Sequence, residues 1–272
     1  MAKWQTGVYF ADTQAPFHLP QCVALLCDYL KRHKPDLVIW GGDIVDFFGI
    51  SQFVSPSRGL EYVKDEIEVA EKEVVAPVLK ASGNAQHIWL EGNHEFRLKA
   101  YIANYARALK DFPGLSIQSA FKMKDRGIKY IEGKGVTKNG IYRLNSNLTF
   151  MHGTNHGIMA SRKTADEWGK GAVVQGHVHK KQSWVDKKGA GHTVAGYSSG
   201  CLCKDPDFGK GYDNYTRGFI RFGWKGEKYY TVDHVDIEGK ENTEMYYNGE
   251  EPKMYNAYHT NNGWKVKDVT DI

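Results

Sequence analysis

His87-Ile88-Trp89-Leu90 is an apolar run that stops abruptly at Gly92-Asn93-His94-Glu95. Asn and His are poor strand residues, and a glycine at that point implies a close backbone turn. At the C-terminal end of a strand in an α/β sheet, such residues face the crevice where ligands bind. Four other segments end in the same way. Gly7-Val8-Tyr9-Phe10 leads to Asp12 and Gln14, and Leu37-Val38-Ile39-Trp40 leads to Gly42-Asp43. Leu148-Thr149-Phe150 leads to His152-Gly153, and Ala172-Val173-Val174 leads to Gly176-His177-Val178-His179. Five strand ends, each carrying a carboxylate, an amide or an imidazole, form a constellation suited to metal ions.

Outward from those tips, the chain opens as a βαβ unit. Strands at 7–11 and 37–40 flank a helix that Pro20 starts and Pro35 stops. Val23, Leu26, Cys27 and Leu30 share the buried face of that helix. Ser55-Pro56-Ser57 reads as loop. Leu60, Val63, Ile67, Ala70 and Val74 recur at helical spacing, with Pro77 expected to end or kink that helix. A further helix is expected over 96–109, starting at the Asn93-His94 tip. Arg97 in its first turn opposes the helix dipole, which suits either an anion in the crevice or a solvated surface. Short strands are expected at 128–131, 140–144 and 148–151, then a helix over 157–169. From Ser183 onward the pattern is β-hairpins, including Arg217–Phe222 and Lys228–Val235. A chain that begins βαβ and finishes in meandering β predicts two sheets flanked by helices. Residues 1–238 read as one catalytic domain. Residues 239–272 read as an extension, either surface strands or an oligomer contact.

The chain has 272 residues and a net charge of +4, too mild to specify nucleic acid by itself. Lysines and arginines cluster at 31–34, 122–129, 180–181 and 187–188, and the pair Lys180-Lys181 directly follows His179. Cys22, Cys27, Cys201 and Cys203 form no C-x-x-C pair. With no secretory signal, they imply a reducing, cytoplasmic setting. No apolar run has the length to cross a bilayer, so no membrane partner is expected.

Two divalent cations need a shared anionic ligand and oxygen or nitrogen ligands around each. Asp43 is the natural bridge. Asp12, Gln14 and His179 then surround one metal, and Asn93, His152 and His177 the other. His94 is left for proton transfer. His177 and His179 are two residues apart, which on a strand puts both on one face. The alternatives are structural: His152 as a satisfied core histidine, Glu95 as a first-turn helix acid, and His156 and His192 as non-ligands. Asp46 reads as a support for the bridge or its loop.

In order, Asp-x-Gln, Gly-Asp-x-x-Asp, Gly-Asn-His-Glu, His-Gly and Gly-His-x-His resemble the motifs of the calcineurin-like metallophosphoesterase superfamily over residues 6–235. The resemblance implies a four-layer α/β/β/α sandwich of two mixed sheets. It also implies two Mn, Mg, Fe, Zn or Ni ions, with manganese preferred, and His94 as general acid or substrate orienter. Its nearest flavour is the branch of DNA-repair nucleases and phage-encoded homologues, hence a phosphodiesterase on DNA or RNA, with Arg97 at the substrate. The alternatives are a phosphomonoesterase and a non-catalytic scaffold. One departure stands out: Gln14 occupies a position where many members carry His. A neutral amide oxygen implies a weaker first site, unless His18 takes that place.

Overall fold

This computed structural model describes residues 3–51, 62–133, 140–205, 215–239, 245–248 and 254–269. Ser55-Pro56-Ser57, Leu60 and Glu61 lie outside the described residues. The first part alternates: β1 (Gln5–Phe10), α1 (Pro20–His33), β2 (Leu37–Trp40), α2 (Val63–Ala70), α3 (Ala76–Ser82), β3 (Gln86–Leu90), α4 (Asn93–Tyr105), α5 (Ile117–Ala120) and β4 (Ile128–Ile131). A hairpin of β5 (Ile141–Asn145) and β6 (Leu148–Met151) precedes α6 (Ala160–Trp168). Strands follow: β7 (Gly171–Gln175), β8 (Lys181–Lys187), β9 (Thr193–Ser199), β10 (Arg217–Lys225), β11 (Tyr229–Gly239), β12 (Met245–Asn248), β13 (Met254–Thr260) and β14 (Gly263–Asp268).

The strands form two mixed sheets, of nine and five strands. In the larger, β1 to β4 are parallel neighbours, and β10 to β14 continue antiparallel from the free edge of β1. The smaller has the order β5-β6-β7-β9-β8, with β6, β7 and β9 parallel. Strand alternation splits the core in two. Val8, Phe10, Val38, Trp40 and Trp89 pack beneath α1 and α3 with Leu26, Leu30 and Val78. Tyr9, Ile39, Ile88 and Leu90 face the second sheet and meet Phe150, Ala172 and Val174. Helix α6 covers the far side of the second sheet, close enough that a side chain on Gly196 would reach Ser161 and Ala165. The result is an α/β/β/α sandwich. The strands after residue 239 add to the edge of the larger sheet, and Tyr255 and Ala257 join its helix-side core. Among the described residues, no helix is long and apolar enough to cross a membrane.

The interruption expected at Pro77 is present, and two other local expectations are corrected. A π turn over Glu71–Val75 intervenes and α3 resumes with Pro77 in its first turn. Proline lacks an N–H and crowds the carbonyl four residues back, and the wider turn accommodates both defects. The helix expected over 96–109 instead starts at Asn93 and ends at Tyr105, followed by a 3-10 turn at Arg107–Leu109. His177 and His179 lie beyond the end of β7, and both have left-handed backbone, φ 70° and 53°. Turn geometry therefore places them, not strand alternation.

The approach of α6 to the second sheet sets a packing test. A Cβ on Gly196 would sit 2.0 Å from the Ser161 carbonyl oxygen, whereas one on Gly189 meets nothing within 4 Å. Gly196→Ala must lift the helix and is expected to cost about 1–3 kcal/mol. Gly189→Ala should be neutral or slightly stabilising. Urea melts of the two variants, compared at equal slope, check the difference.

Candidate metal centre

The tips of β1, β2, β3, β6 and β7 meet at one edge of the sandwich. Backbone bonds from Asp12 N to Gly42 O (3.1 Å), Gln14 N to Asp43 O (2.9 Å) and Ala15 N to Ile44 O (2.9 Å) zip the first two loops together. Asp12, Gln14, Asp43, His177 and His179 all have positive φ, between 46° and 70°. Left-handed backbone is costly for residues with side chains and concentrates where function over-determines the chain. Here it turns each chain back so that the side chain hangs over the strand ends. Gly92 permits the closest approach, since a Cβ there would lie 2.2 Å from Asp43 Oδ1.

The sequence-predicted ligands separate into two lobes. In one, His152 Nε2 lies 3.0 Å from Asn93 Oδ1, 3.2 Å from His177 Nδ1 and 3.2 Å from Asp43 Oδ2. His152 donates its Nδ1 proton to the Gly41 carbonyl at 2.9 Å, so Nε2 is the nitrogen aimed into this cluster. A single proton on Nε2 cannot satisfy a carboxylate, an amide oxygen and an imidazole together. Four donor atoms converging in a buried place, with the outer nitrogen held by a carbonyl, is the arrangement a divalent ion requires. In the other lobe, His179 Nε2 lies 3.3 Å from Asp12 Oδ1 and 3.0 Å from Gln14 Nε2. Asp12 Oδ1 is buried and accepts no hydrogen bond. Asp12 Oδ2 accepts the His177 N–H at 2.8 Å, which ties the lobes together. These residues fit two divalent ions. His18 is not brought here: its Nε2 lies 3.2 Å from Glu73 Oε2 on the helix side. His192 is exposed.

His94 stands at the mouth. Its backbone N–H donates to Asp43 Oδ1 at 2.8 Å, and its Nε2 lies 3.5 Å from Asp43 Oδ2. Its Nδ1 is 2.8 Å from the Asp46 carbonyl and its Nε2 is 3.1 Å from Arg97 NH2. A carbonyl only accepts and a guanidinium only donates, so His94 holds its proton on Nδ1. Arg97 also donates to the Asp46 carbonyl (2.8 Å) and lies 3.3 Å from its carboxylate. Asp46 thus supports His94 and Arg97.

Three features of the site escaped the sequence. Glu95, expected as a simple first-turn acid, accepts the N–H groups of Asp43 (2.8 Å), Ile44 (2.8 Å) and Gly92 (3.0 Å). Its spacing at the third position of a buried helix start was the available signal. His156 brings Nε2 within 3.2 Å of His177 Nε2, on the loop that leaves His152. Cys201 and Cys203 lie beside His179. The only trace of that in sequence is C-x-C after a strand.

The electrostatics follow from burial. Burial alone would push the Asp43 carboxyl up, but the imidazoles of His152 and His94 outweigh it and hold it far below the usual range. Burial would likewise lower His152, yet Asp43 holds it up to about 10, and against the same burial Asp12 holds His179 up to about 9. His177 is driven down to about 4 by burial, with the charge on His152 adding to it. Burial, then the charge of Asp43, lifts Glu95 to about 7. His152 and His179 therefore carry protons at neutral pH in the metal-free protein, and each must lose one to ligate. Divalent metal uptake near neutral pH is expected to release about two protons from these two imidazoles. Affinity should rise with pH until those imidazoles deprotonate unaided. Calorimetric titrations in buffers of different ionisation enthalpy measure the count, and uptake with no proton release would contradict this assignment.

The family described as Calcineurin-like phosphoesterase matches this chain over residues 8–208. No curated protein sequence matches it. Similar solved structures include a metallophosphoesterase from Sphaerobacter thermophilus, 13% identical over 88% of this chain and 90% of that one, with a TM-score of 0.43. A dimetal phosphatase from Danio rerio is 12% identical over 84% of this chain and 98% of that one, at 0.38. Vps29 from Entamoeba histolytica is 12% identical over 97% and 98% of the two chains, at 0.36. A match spanning all five strand-end motifs places this protein in the calcineurin-like phosphoesterase family.

Proposed function

We propose that this protein is a phosphodiesterase that cleaves nucleic acid, DNA or RNA, in the manner of the DNA-repair and phage-encoded nucleases of its family. It acts in the cytoplasm with two divalent ions. Manganese suits the oxygen and imidazole donors of the lobe built from Asp43, Asn93, His152 and His177. When bound, such ions neutralise charge developing on the phosphoryl oxygens and supply a nucleophile at neutral pH.

The observation that carries the reading is the placement of His94 and Arg97. His94 is anchored by Asp43 and Asp46 at the mouth of the cleft, where a leaving oxygen would emerge. A substrate phosphate that draws the Arg97 guanidinium off His94 Nε2 frees that nitrogen to take up a proton from solvent, and the resulting imidazolium can give it to the leaving oxygen. Alkoxide leaving groups, as in nucleic acid, need that proton. Arg97 is already shared with the carbonyl and carboxylate of Asp46. Its remaining capacity suits a singly charged diester better than a monoester dianion. Lys181 is paired with Asp236, whereas Lys180 has no ion pair among the described residues, so Lys180 is the better candidate for a neighbouring phosphate.

His94→Asn should retain the metals and the fold. It should lose about 10²–10⁴-fold in rate on unactivated diesters and much less on a nitrophenyl diester, whose leaving group needs no proton. Equal losses on both would assign His94 to substrate positioning. Nucleic-acid binding should weaken steeply with salt, and Lys180→Ala should reduce the slope by about one. A matrix of Mn, Mg, Zn, Fe and Ni against diester, monoester, single-stranded and duplex DNA tests the substrate class. Rapid monoester turnover, with neither diesterase activity in Mn nor salt-dependent DNA binding, would make the protein a phosphatase instead.

A further inference from the structure

Cys201 and Cys203 differ from the other two cysteines. Cys22 and Cys27 belong to the apolar core beneath α1, whereas Cys201 and Cys203 are just as buried but belong to neither apolar core. The residue between them, Leu202, does belong to the helix-side core. Leu202 is a bend between two isolated bridges, Cys201 with Arg217 and His18 with Cys203, which fix the two cysteines on either side of it. The segment is stitched in place. Leu202 N donates to the Asp12 carbonyl (3.1 Å), Leu19 N to the Leu202 carbonyl (2.8 Å), and Cys201 N to the Thr216 carbonyl (2.9 Å). Thr216 N in turn donates to the His179 carbonyl (3.0 Å). The two sulfurs and a ring nitrogen of His179 all lie within 4.8 Å of one another. His179 connects them to Asp12, whose Oδ1 is buried, without a hydrogen bond, and 3.3 Å from His179 Nε2.

Two buried thiols in an ordinary core would be small apolar fillers. These two instead lie against the His179 imidazole, with Cys201 Sγ also 3.9 Å from the Cys203 carbonyl oxygen. This is also the lobe in which Gln14 offers only a neutral amide. We propose that Cys201 and Cys203 are metal ligands of the first lobe, which with His179 and Asp12 takes a borderline-soft ion of the zinc class. The assignment rests on the cleft being a metal centre, and it makes the two lobes chemically unlike. Thiolate, imidazole and carboxylate together suit a four-coordinate zinc or cobalt ion. The other lobe, with no sulfur, keeps its preference for manganese. Each thiol that ligates gives up its proton on metal binding, in addition to the protons leaving His152 and His179.

Cobalt(II) reports on this directly, because thiolate ligation produces a sulfur-to-cobalt charge-transfer band in the near ultraviolet. Reduced, metal-free protein titrated with cobalt should develop that band with one of two bound ions. Zinc should abolish it and manganese should not. Cys201→Ser and Cys203→Ser should each diminish the band and weaken that ion by about tenfold or more. Cys22→Ser should leave it intact. Binding of two cobalt ions by the wild-type protein without a charge-transfer band would overturn the thiol assignment and leave the phosphoesterase reading standing. A band that survives in the Cys201→Ser, Cys203→Ser double variant would also overturn it. Failure to bind any divalent ion would overturn both.

Discussion

Three backbone N–H groups converge on the carboxylate of Glu95, and the geometry of the cleft depends on that convergence. They come from Asp43 and Ile44 after β2 and from Gly92 after β3. One buried acid in the first turn of α4 therefore locks two strand tips and a helix start into a single unit. Asp43 returns the connection by accepting the His94 N–H. A buried carboxylate is expensive, and burial pushes Glu95 up to about 7. Three charge-oriented donors offset that expense, and without Glu95 all three would be buried and unpaired. Metal ligands on separate loops would drift. Here the Asp43 loop and the start of α4, which carries Asn93 and His94, are tied to each other through Glu95 and Asp43.

Rigidity of this kind lets the protein hold side chains in conformations that isolated loops would reject. Left-handed backbone at a non-glycine residue costs about 1–3 kcal/mol, and five of the seven expected ligands adopt it. The two exceptions, Asn93 and His152, reach the cluster from the start of a helix and from just beyond β6. Each strained residue points its side chain back over the sheet edge, where a relaxed continuation of the strand would carry it away. The packed layers below, with Trp40 and Trp89 stacked 5.0 Å apart under the helices, supply the stability that this strain draws on.

Much of this was legible in the chain because function there contradicts local preference. Asp43, Asn93 and His152 interrupt apolar strands at their ends, and no structural need explains such residues at five tips in order. The sheets were legible from alternating and continuous apolar runs. What escaped was whatever depends on a tertiary partner. Arg97 suited either an anion in the crevice or a solvated surface, and only the fold reveals that it is held by the Asp46 carbonyl and carboxylate. Glu95 resembled any helix-start acid until the Asp43 loop settled on it. The sequence after residue 239 offers few obvious apolar anchors, so nothing local announced that its strands would extend the larger sheet and bury Tyr255 and Ala257. For His177 and His179 the strand period was the wrong reason, since two left-handed residues beyond β7 bring them to the cleft edge. His156 and the C-x-C pair meet their histidines only through long-range packing.

Without metals, protons do part of the same electrostatic work. The charged His152 imidazole lies 3.2 Å from Asp43 in one lobe, and that of His179 3.3 Å from Asp12 in the other. Because His152 is raised from 6.5 to about 10, its contribution to stability is complete below the lower value and drains away as pH climbs through the higher one. Asp43 has the opposite sign: held below its usual 3.8, it stabilises above that value and is lost only in strong acid. Between those limits the cleft is already organised around positive charge. A divalent ion therefore replaces an imidazolium in a site that needs little rearrangement to receive it. The Asp12 carboxylate touches both arrangements, one oxygen facing His179 and the other holding the His177 N–H. An ion filling the first lobe would then act on the second through that one carboxylate, which would couple the two binding events.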